Sequence, residues 1–413
     1  MLEEDIVDAI SVGSDVLLTG ESGVGKTALI QSIGKRLNRK VFTIIGSLCD
    51  PTDINGFPVV DEYVIDAAGR KRKVIKFAPR DFLVEIVNEL KGKAIVFFDE
   101  LTSSPPSVQA ALLRTVQTKQ FGDFQLDPYK VAIVAACNPP DVAANGQEIP
   151  IPMANRLLHL KFPCDTVAAI EWTLNFTGYW GAPPKVGFDD EFLSHEVMIR
   201  ARSTVAAFIK RFPNWWHYTM RTPKERETED FAGGTVGFTT PRSWDRVSRH
   251  LGLCLSRNRP PISIARLVVG EVGAAAAVDF ESFIRENEIP DPEDVLRSPS
   301  TYRPSGRVDV DYAVMTGVAA AVTANVSPER ILAGFTVCNR ICEARGTDGS
   351  PTYEAAYVAA SQIGKLVGKK ALKDLQKSFK MSAEAIAAFV QDVQALVKPF
   401  RGLRLNIFAA QEE

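Results

Sequence analysis

The chain has 413 residues, with 48 lysines and arginines against 50 aspartates and glutamates, so its formal net charge at pH 7 is −2. Hydrophobic residues make up 46% and charged residues 24%, as in ordinary globular proteins. These values exclude collagen-like and low-complexity classes and give no global sign of a polyanion-binding protein.

The cysteines and the N-terminal segment indicate the cellular compartment in which the protein is expected. The six cysteines show no CxxC spacing and predict a reduced, cytoplasmic setting; they lie at positions 49, 137, 164, 254, 338 and 342. Cys338 and Cys342 would share one face of a helix, and core packing is the favoured interpretation. The acidic N-terminal segment lacks the features of a signal peptide, and no apolar stretch is long enough to span a bilayer. We therefore expect a cytoplasmic protein without membrane insertion.

Four short apolar segments predict the strands of an α/β fold, at residues 15–19, 41–45, 94–98 and 131–136. Helical patterns lie between them, and this alternation predicts a parallel sheet covered on both faces. A β-hairpin insert is predicted near residues 57–78, and a shorter turn-like excursion at 118–130. The first domain is expected to end near residue 163.

The remainder of the chain is predicted to be mostly helical. We expect a helical domain over residues 164–290 and a second helical domain over residues 307–413. Four prolines between residues 289 and 306 predict a linker, which we place at 291–306.

The strongest motif is the segment GESGVGKT, which comprises Gly20, Glu21, Ser22, Gly23, Val24, Gly25, Lys26 and Thr27. It matches the full P-loop pattern and lies between a predicted strand and a predicted helix. Its glycines let backbone N–H groups face phosphate oxygens, and the helix N-terminus adds a favourable dipole. Lys26 would reach the β- and γ-phosphates, and the Thr27 hydroxyl would bind Mg²⁺. The motif therefore predicts a site for a nucleoside triphosphate.

Polar side chains also follow two later strands. The segment AIVFFDE ends in Asp99 and Glu100, and VAIVAACN ends in Asn138. Ligands bind at the carboxyl edge of open α/β sheets, so Asp99 would bind Mg²⁺ and Glu100 would activate the attacking water. Asn138 would hydrogen-bond this water or the γ-phosphate. Taken alone, the acidic pair would be a solvated strand end and the asparagine a turn initiator.

The order of the segments GESGVGKT, FFDE, CNPP, ANR and TPR resembles an AAA+ ATPase of the MoxR-like branch, close to the dynein-related group. The resemblance covers roughly residues 1–270 and includes DVLLT before the P-loop and DPTDINGF after the second strand. The predicted hairpin is similar to the helix-2 insert of that branch, and residues 118–130 resemble its hairpin before sensor 1. The resemblance implies a P-loop AAA+ core followed by a helical lid.

The resemblance also implies roles for two arginines. Arg156 matches the arginine finger of the family's (D/N)-R-F motif, although Leu157 replaces the phenylalanine. Such an arginine stabilises charge at a neighbouring subunit's γ-phosphate. Arg242 resembles sensor 2 at the start of a lid helix, where Pro241 is favourable. On the residues alone, a surface arginine and an arginine in a local ion pair remain alternatives.

The function implied by the resemblance is Mg²⁺-dependent ATP hydrolysis by a ring oligomer, expected to be a hexamer, that remodels a client protein. The family often acts beside proteins with a von Willebrand factor type A domain. A metal-chelatase-type motor subunit, a nucleic-acid-linked NTPase and a scaffold without turnover remain alternatives. The near-neutral charge disfavours the nucleic-acid reading, and intact Glu100 and Asn138 disfavour the scaffold. The lysines between residues 365 and 380 are interpreted as a solvated face in preference to a partner site.

Overall fold

The computed structural model describes residues 2–65, 71–139, 147–162, 185–186, 191–220, 237–287, 289–344 and 353–397. The chain divides into two compact units, Met1–Cys164 and Asp165–Glu413.

The first unit is built on a five-stranded parallel sheet. Its strands are β1 (Val16–Thr19), β2 (Lys40–Ile45), β5 (Ala94–Asp99), β8 (Val131–Cys137) and β9 (Leu158–Lys161). Their order across the sheet is β2-β5-β8-β1-β9, and each neighbouring pair runs parallel. The predicted α/β fold and its four strands are confirmed. The edge strand β9 was not predicted, because its sequence LHLK alternates and is largely exposed, unlike the continuous apolar runs of buried strands.

The described residues of this unit also form six helices: α1 (Leu2–Ser11), α2 (Lys26–Arg36), α3 (Pro51–Asn55), α4 (Asp81–Asn88), α5 (Pro106–Thr118) and α6 (Ile151–Ala154). Short 3-10 helices, Gly46–Leu48 and Leu101–Ser103, follow β2 and β5. The central strand β8 is buried along its whole length, and alternate side chains of β5 and β8 pack into one core with α4 and α5. This core fixes the positions at which the strands end.

Two hairpins interrupt the α/β alternation, as predicted. Strands β3 (Phe57–Ile65) and β4 (Lys71–Ala78) form the larger hairpin, and β6 (Gln120–Phe121) and β7 (Phe124–Gln125) the smaller. Residues 66–70, the predicted turn of the larger hairpin, lie outside the described residues. Gly122 has a positive φ of 56°, and a Cβ there would lie 2.0 Å from the Asn55 carbonyl oxygen. The smaller hairpin therefore packs against the end of α3 without room for a side chain.

The second unit is mainly helical. Its described helices are α7 (His195–Arg211), α8 (Pro241–Ser256), α9 (Ala265–Val272), α10 (Ala274–Glu286), α11 (Pro292–Arg297), α12 (Val308–Ala324), α13 (Pro328–Glu343), α14 (Tyr353–Gly364), α15 (Lys369–Ser378) and α16 (Ala383–Val397). Two short antiparallel strands are β10 (Lys185–Val186) and β11 (Glu191–Phe192).

Helix α7 connects the two regions that were expected as separate helical domains. Its Phe208 contacts the aromatic rings of Trp244, Phe280 and Phe283, which belong to α8 and α10. Its Ile199 belongs to a second core, which is centred on α12 and extends to α16. The second unit is therefore continuous from α7 to α16, which differs from the expected division at residues 291–306.

The predicted linker is folded. Helix α11 begins after Asp291, whose carboxylate accepts a hydrogen bond from the Glu293 backbone N–H, and Pro292 occupies the first helical turn. Val295 and Leu296 are buried in the core around α12. Pro292 thus lies at the start of a helix, a role that composition alone does not distinguish from that of a spacer.

A buried carboxylate holds the end of the same segment. Asp311 is fully buried and accepts hydrogen bonds from the Ser305 N–H (2.8 Å), the Ser305 hydroxyl (2.9 Å) and the Gly306 N–H (3.1 Å). Burial and the nearby Asp311 carboxylate raise the pKa of Tyr302. These contacts tie residues 302–306 to α12, since an unsatisfied carboxylate could not be buried there without a large cost.

Cys338 and Cys342 pack in the α12 core, as predicted. Burial raises the pKa of the Cys342 thiol to about 11, so it remains protonated at neutral pH. Among the described residues, no helix combines the length and the hydrophobicity needed to cross a bilayer.

Candidate nucleotide-binding site

The P-loop joins the carboxyl end of β1 to the first turn of α2. Gly25 precedes this helix and has a backbone φ of 104°, which residues other than glycine rarely adopt. At Gly20, a Cβ would lie 2.7 Å from the Phe162 Cβ, so glycine is also needed for close packing. The two glycines therefore shape a turn whose N–H groups can surround a phosphate at the start of a helix.

Lys26 connects the P-loop with the end of β8. Its side chain is only 7% exposed, and its Nζ donates to the carbonyl oxygens of Gly20 (2.7 Å) and Glu21 (3.0 Å). Nζ also donates to Oδ1 of Asn138 at 2.8 Å. The lysine and the asparagine predicted from separate motifs therefore lie in direct contact.

Thr27 and Asp99 are also in contact, across the ends of α2 and β5. The Thr27 hydroxyl donates to Asp99 Oδ2 at 2.6 Å, and Asp99 Oδ1 accepts from the Glu100 backbone N–H at 3.0 Å. Hard divalent cations such as Mg²⁺ prefer oxygen ligands of this kind. The donor set at this position therefore fits the predicted metal.

Glu100 is held by its backbone and by its carboxylate. Its φ of 58° and ψ of 41° place it in the left-handed region, which a non-glycine residue rarely occupies outside functional or turn positions. Glu100 Oε2 accepts a hydrogen bond from the Ser47 hydroxyl. Ser47 follows β2, which pairs with β5, so the two strand ends bring the serine and the glutamate together. Ser47 was not predicted, and only its place just after a predicted strand could have suggested it.

Arg156 lies at the other end of the strands, on the side of their amino ends, whereas the P-loop lies at their carboxyl ends. It precedes β9, and the register between β1 and β9 pairs Val16 with Leu158 and Thr19 with Lys161. The P-loop thus follows the carboxyl ends of these strands, whereas Arg156 lies before their amino ends, and the four-residue strands separate the two by about 10 Å or more. Arg156 is exposed, and its Nη1 donates to the Pro152 carbonyl oxygen at 2.6 Å.

A cavity of about 550 Å³ opens beside Arg156. Its wall includes a buried ion pair between Asp15 and Lys119, which are 7% and 5% exposed. Asp15 Oδ1 also accepts from the Ile133 backbone N–H at 3.2 Å. Burial raises the pKa of Asp15 and lowers that of Lys119, since removal from water disfavours both charges more than their attraction favours them. The pair connects the start of β1, the end of α5 and strand β8.

Arg242 belongs to the second unit, whereas the P-loop belongs to the first. It lies in the first turn of α8, which begins with a capping box between Thr240 and Ser243. Arg242 is exposed and forms no hydrogen bond or ion pair with other described residues. A cation is unfavourable beside the positive end of a helix, so the position of Arg242 in the first turn of α8 does not stabilise this helix electrostatically.

A family model of AAA domains, the dynein-related subfamily, matches residues 15–157. The matched range begins just before β1 and ends just after Arg156, so it contains every predicted site residue of the first unit.

Comparison with curated proteins found Lon proteases. The chain is 30% identical over 156 residues to the peroxisomal Lon protease homolog 2 of Zea mays, which corresponds to 37% of this chain and 16% of that protein. It is 28% identical over 149 residues to the Lon protease of Fusobacterium nucleatum, or 33% of this chain and 19% of that protein. The chain therefore spans less than a fifth of the length of these relatives.

Among solved structures, NtrX from Brucella abortus in complex with ADP is similar, with a TM-score of 0.34 and 15% sequence identity. The match covers 88% of this chain and 67% of that one. A TM-score at this level does not establish a common overall fold. The likeness therefore depends on the family match and on the contacts among the P-loop motif residues: residues 15–157 are similar to AAA domains of the dynein-related subfamily.

Proposed function

We propose that the protein binds ATP with Mg²⁺ and hydrolyses it within an oligomer, as a MoxR-like, chaperone-like remodeller of a partner protein. The observation that carries the proposal is the division of the predicted residues between two edges of one sheet. The contacts of Lys26 with Asn138 and of Thr27 with Asp99 gather one group at the carboxyl edge, and Arg156 lies at the amino edge.

The carboxyl-edge residues suit hydrolysis at a γ-phosphate. Bound Mg²⁺ would supply positive charge that neutralises the phosphate oxygens, and Thr27 and Asp99 would hold it. Lys26 would exchange its present oxygen acceptors for phosphate oxygens. Glu100 would accept a proton from the attacking water at its carboxylate, and Asn138 would orient that water.

Arg156 supports an oligomer, because it lies across the sheet from the P-loop of its own chain. It can complete a nucleotide site only on another protomer. Exposed apolar side chains surround the same edge: Val12, Tyr129 and Ile151 are 76%, 85% and 84% exposed. Such a patch is typical of a protein interface. Six protomers in a ring is the arrangement that the family resemblance implies.

The β3–β4 hairpin supports a protein client. Val60 pairs with Ile75 and Pro58 with Phe77 on one face, and Val60, Ile75 and Phe77 are 60%, 65% and 37% exposed. A two-stranded sheet is marginally stable by itself and benefits from a covering surface. We propose that this face contacts the client, for which proteins with a von Willebrand factor type A domain are candidates by resemblance.

Subunit mixing tests this proposal. Arg156→Ala and Glu100→Gln should each bind ATP but hydrolyse it about 10³-fold or more slowly than the natural protein. In a random equal mixture, about a quarter of the interfaces combine an intact Glu100 with an intact neighbouring Arg156, so about a quarter of the natural activity should return.

A matched mixture provides the control. Lys26→Ala should not bind ATP, and its mixture with Glu100→Gln should stay inactive, because both defects lie in the same half of the interface. Failure of Arg156→Ala and Glu100→Gln to recover activity together at any ratio would exclude action between protomers. Natural turnover in Lys26→Ala would exclude the P-loop as the site.

A further inference from the structure

The second unit carries a concentrated positive charge. Six lysines lie between residues 365 and 380, at positions 365, 369, 370, 373, 377 and 380, with Asp374 as the single acid. This segment therefore has a net charge of +5 (six minus one), within a chain whose net charge is −2. The near-neutral total conceals a local excess of positive charge in the sequence of α15 and its two flanking turns.

The core of the unit determines which side of α15 faces solvent. Leu375 is 6% exposed, and it packs with Leu372 and Met381 into the core around α12. Lys373 and Lys377 are exposed, as are Lys365 before the helix and Lys380 after it. None of these four lysines has an ion pair with another described residue. We call Lys365, Lys373, Lys377 and Lys380 the lysine strip.

The composition of the strip distinguishes between classes of partner. Protein–protein interfaces are depleted in lysine and have an apolar centre, which the strip lacks. A membrane-surface helix inserts its apolar face into lipid, but the apolar face of α15 is buried in the core of the unit. Surfaces that bind nucleic acid are polar and strongly positive, as this one is.

An aromatic side chain lies at the end of the strip. Phe379 directly follows α15, between Ser378 and Lys380, and is 46% exposed. Cationic surfaces that follow a phosphate backbone and carry an adjacent aromatic ring bind single strands, because every base can stack on such a ring. We propose that the lysine strip and Phe379 bind single-stranded nucleic acid, with the lysines on phosphates and the ring on a base. This proposal does not depend on ATP hydrolysis.

A labelled oligothymidylate of about 20 nucleotides, longer than most single binding sites, tests the proposal by fluorescence anisotropy. The natural protein should bind it at low salt and lose affinity linearly in a plot of log affinity against log salt concentration. The variant Lys373→Gln/Lys377→Gln/Lys380→Gln should bind at least about tenfold more weakly, and its salt slope should decrease by about 2, since each lost phosphate contact removes about 0.7.

The control variant is Lys35→Gln/Lys91→Gln/Lys93→Gln, which changes three exposed lysines of the first unit and therefore the same net charge. Lys91 has a backbone φ of 51°, close to the 49° of Lys380, so each triple variant changes one lysine in this backbone conformation. This variant should bind the oligonucleotide as the natural protein does, and Phe379→Ala should lose affinity without a change in the salt slope. Both triple variants should retain basal ATP hydrolysis.

Three outcomes would overturn the proposal. The first is absence of binding by the natural protein at about 50 mM salt, where phosphate contacts are strongest. The second is an equal loss of affinity in both triple variants, which would reflect total charge. The third is tighter binding of polyglutamate or of anionic lipid vesicles than of the oligonucleotide, which would assign the strip to an acidic protein or a membrane surface.

Discussion

Glu100 illustrates how a neighbouring strand can restrain a side chain. Its carboxylate accepts a hydrogen bond from the Ser47 hydroxyl, and its backbone has a positive φ of 58°. A general base must be within hydrogen-bonding reach of the proton that it removes. The contact with Ser47 therefore engages one of the two carboxylate oxygens of Glu100, and we expect it to restrain this group as a base toward water.

Removal of the Ser47 hydroxyl tests this restraint. We expect Ser47→Ala to raise kcat for ATP by about twofold to tenfold at nearly unchanged KM, since one hydrogen bond of about 1.4 kcal/mol corresponds to tenfold. Steady-state kinetics measures both constants. Ser11→Ala removes a serine hydroxyl that bonds only within α1 and should change neither. A lower kcat in Ser47→Ala would show that the serine positions Glu100 for catalysis.

At the scale of single residues, the sequence predicted those site residues whose positions follow from the parallel sheet and the P-loop motif. Lys26 contacts Asn138 and Thr27 contacts Asp99, because parallel strands present their carboxyl ends at one edge, where the P-loop also lies. The contact of Ser47 with Glu100 was not predicted, since it depends on β2 lying beside β5. That order arises from long-range packing, which the motifs do not encode.

At the scale of elements, the buried pair of Asp15 and Lys119 joins β1 and α5. Removal of one partner leaves the other charge buried without compensation, so Lys119→Met should lower the stability of the first unit by about 3–5 kcal/mol. The double variant Asp15→Asn/Lys119→Met should recover much of this loss, because neither charge remains and the asparagine oxygen can still accept the Ile133 N–H. Equal losses in the single and double variants would contradict this explanation.

The measurement must report on the first unit. All five tryptophans lie in the second, at positions 172, 180, 215, 216 and 244, so their fluorescence would miss the effect. Hydrogen exchange of the β8 amides in urea follows the relevant core. Lys130→Met serves as the control, since its pair with Asp127 is exposed and should contribute less than about 1 kcal/mol.

The sequence analysis missed one strand and one helix for the same reason. Strand β9 is short and alternating, so its apolar content is too low to distinguish it from a loop. Helix α11 lies in a proline-rich segment, where the proline that starts the helix resembles a helix breaker. In both cases tertiary contacts decide the structure: β9 pairs with β1, and Glu293 of α11 accepts two hydrogen bonds from Arg330 of α13.

At the scale of the whole molecule, the first unit carries the P-loop at the carboxyl ends of its strands and Arg156 before the amino end of β9, so the two cannot meet within one chain. Association of two such chains would bring opposite edges together, and repetition of the same contact produces a ring when the rotation closes. The exposed apolar residues beside Arg156 lie where this contact would form. ATP should therefore promote assembly, because its γ-phosphate would bind both edges.

Light scattering of Glu100→Gln, with and without Mg·ATP, measures this assembly directly. The variant should bind ATP without cleaving it and reach about six times 45.2 kDa, or about 271 kDa, if the ring has six members. Tyr129→Ser/Ile151→Ser in the same background should prevent the increase in mass while ATP still binds, because the apolar contact is removed. Val84→Ser/Val87→Ser changes two other exposed side chains of the first unit and should assemble normally. A monomer that holds ATP under both conditions would leave Arg156 without a neighbour, and the protein would then act as a nucleotide-dependent switch.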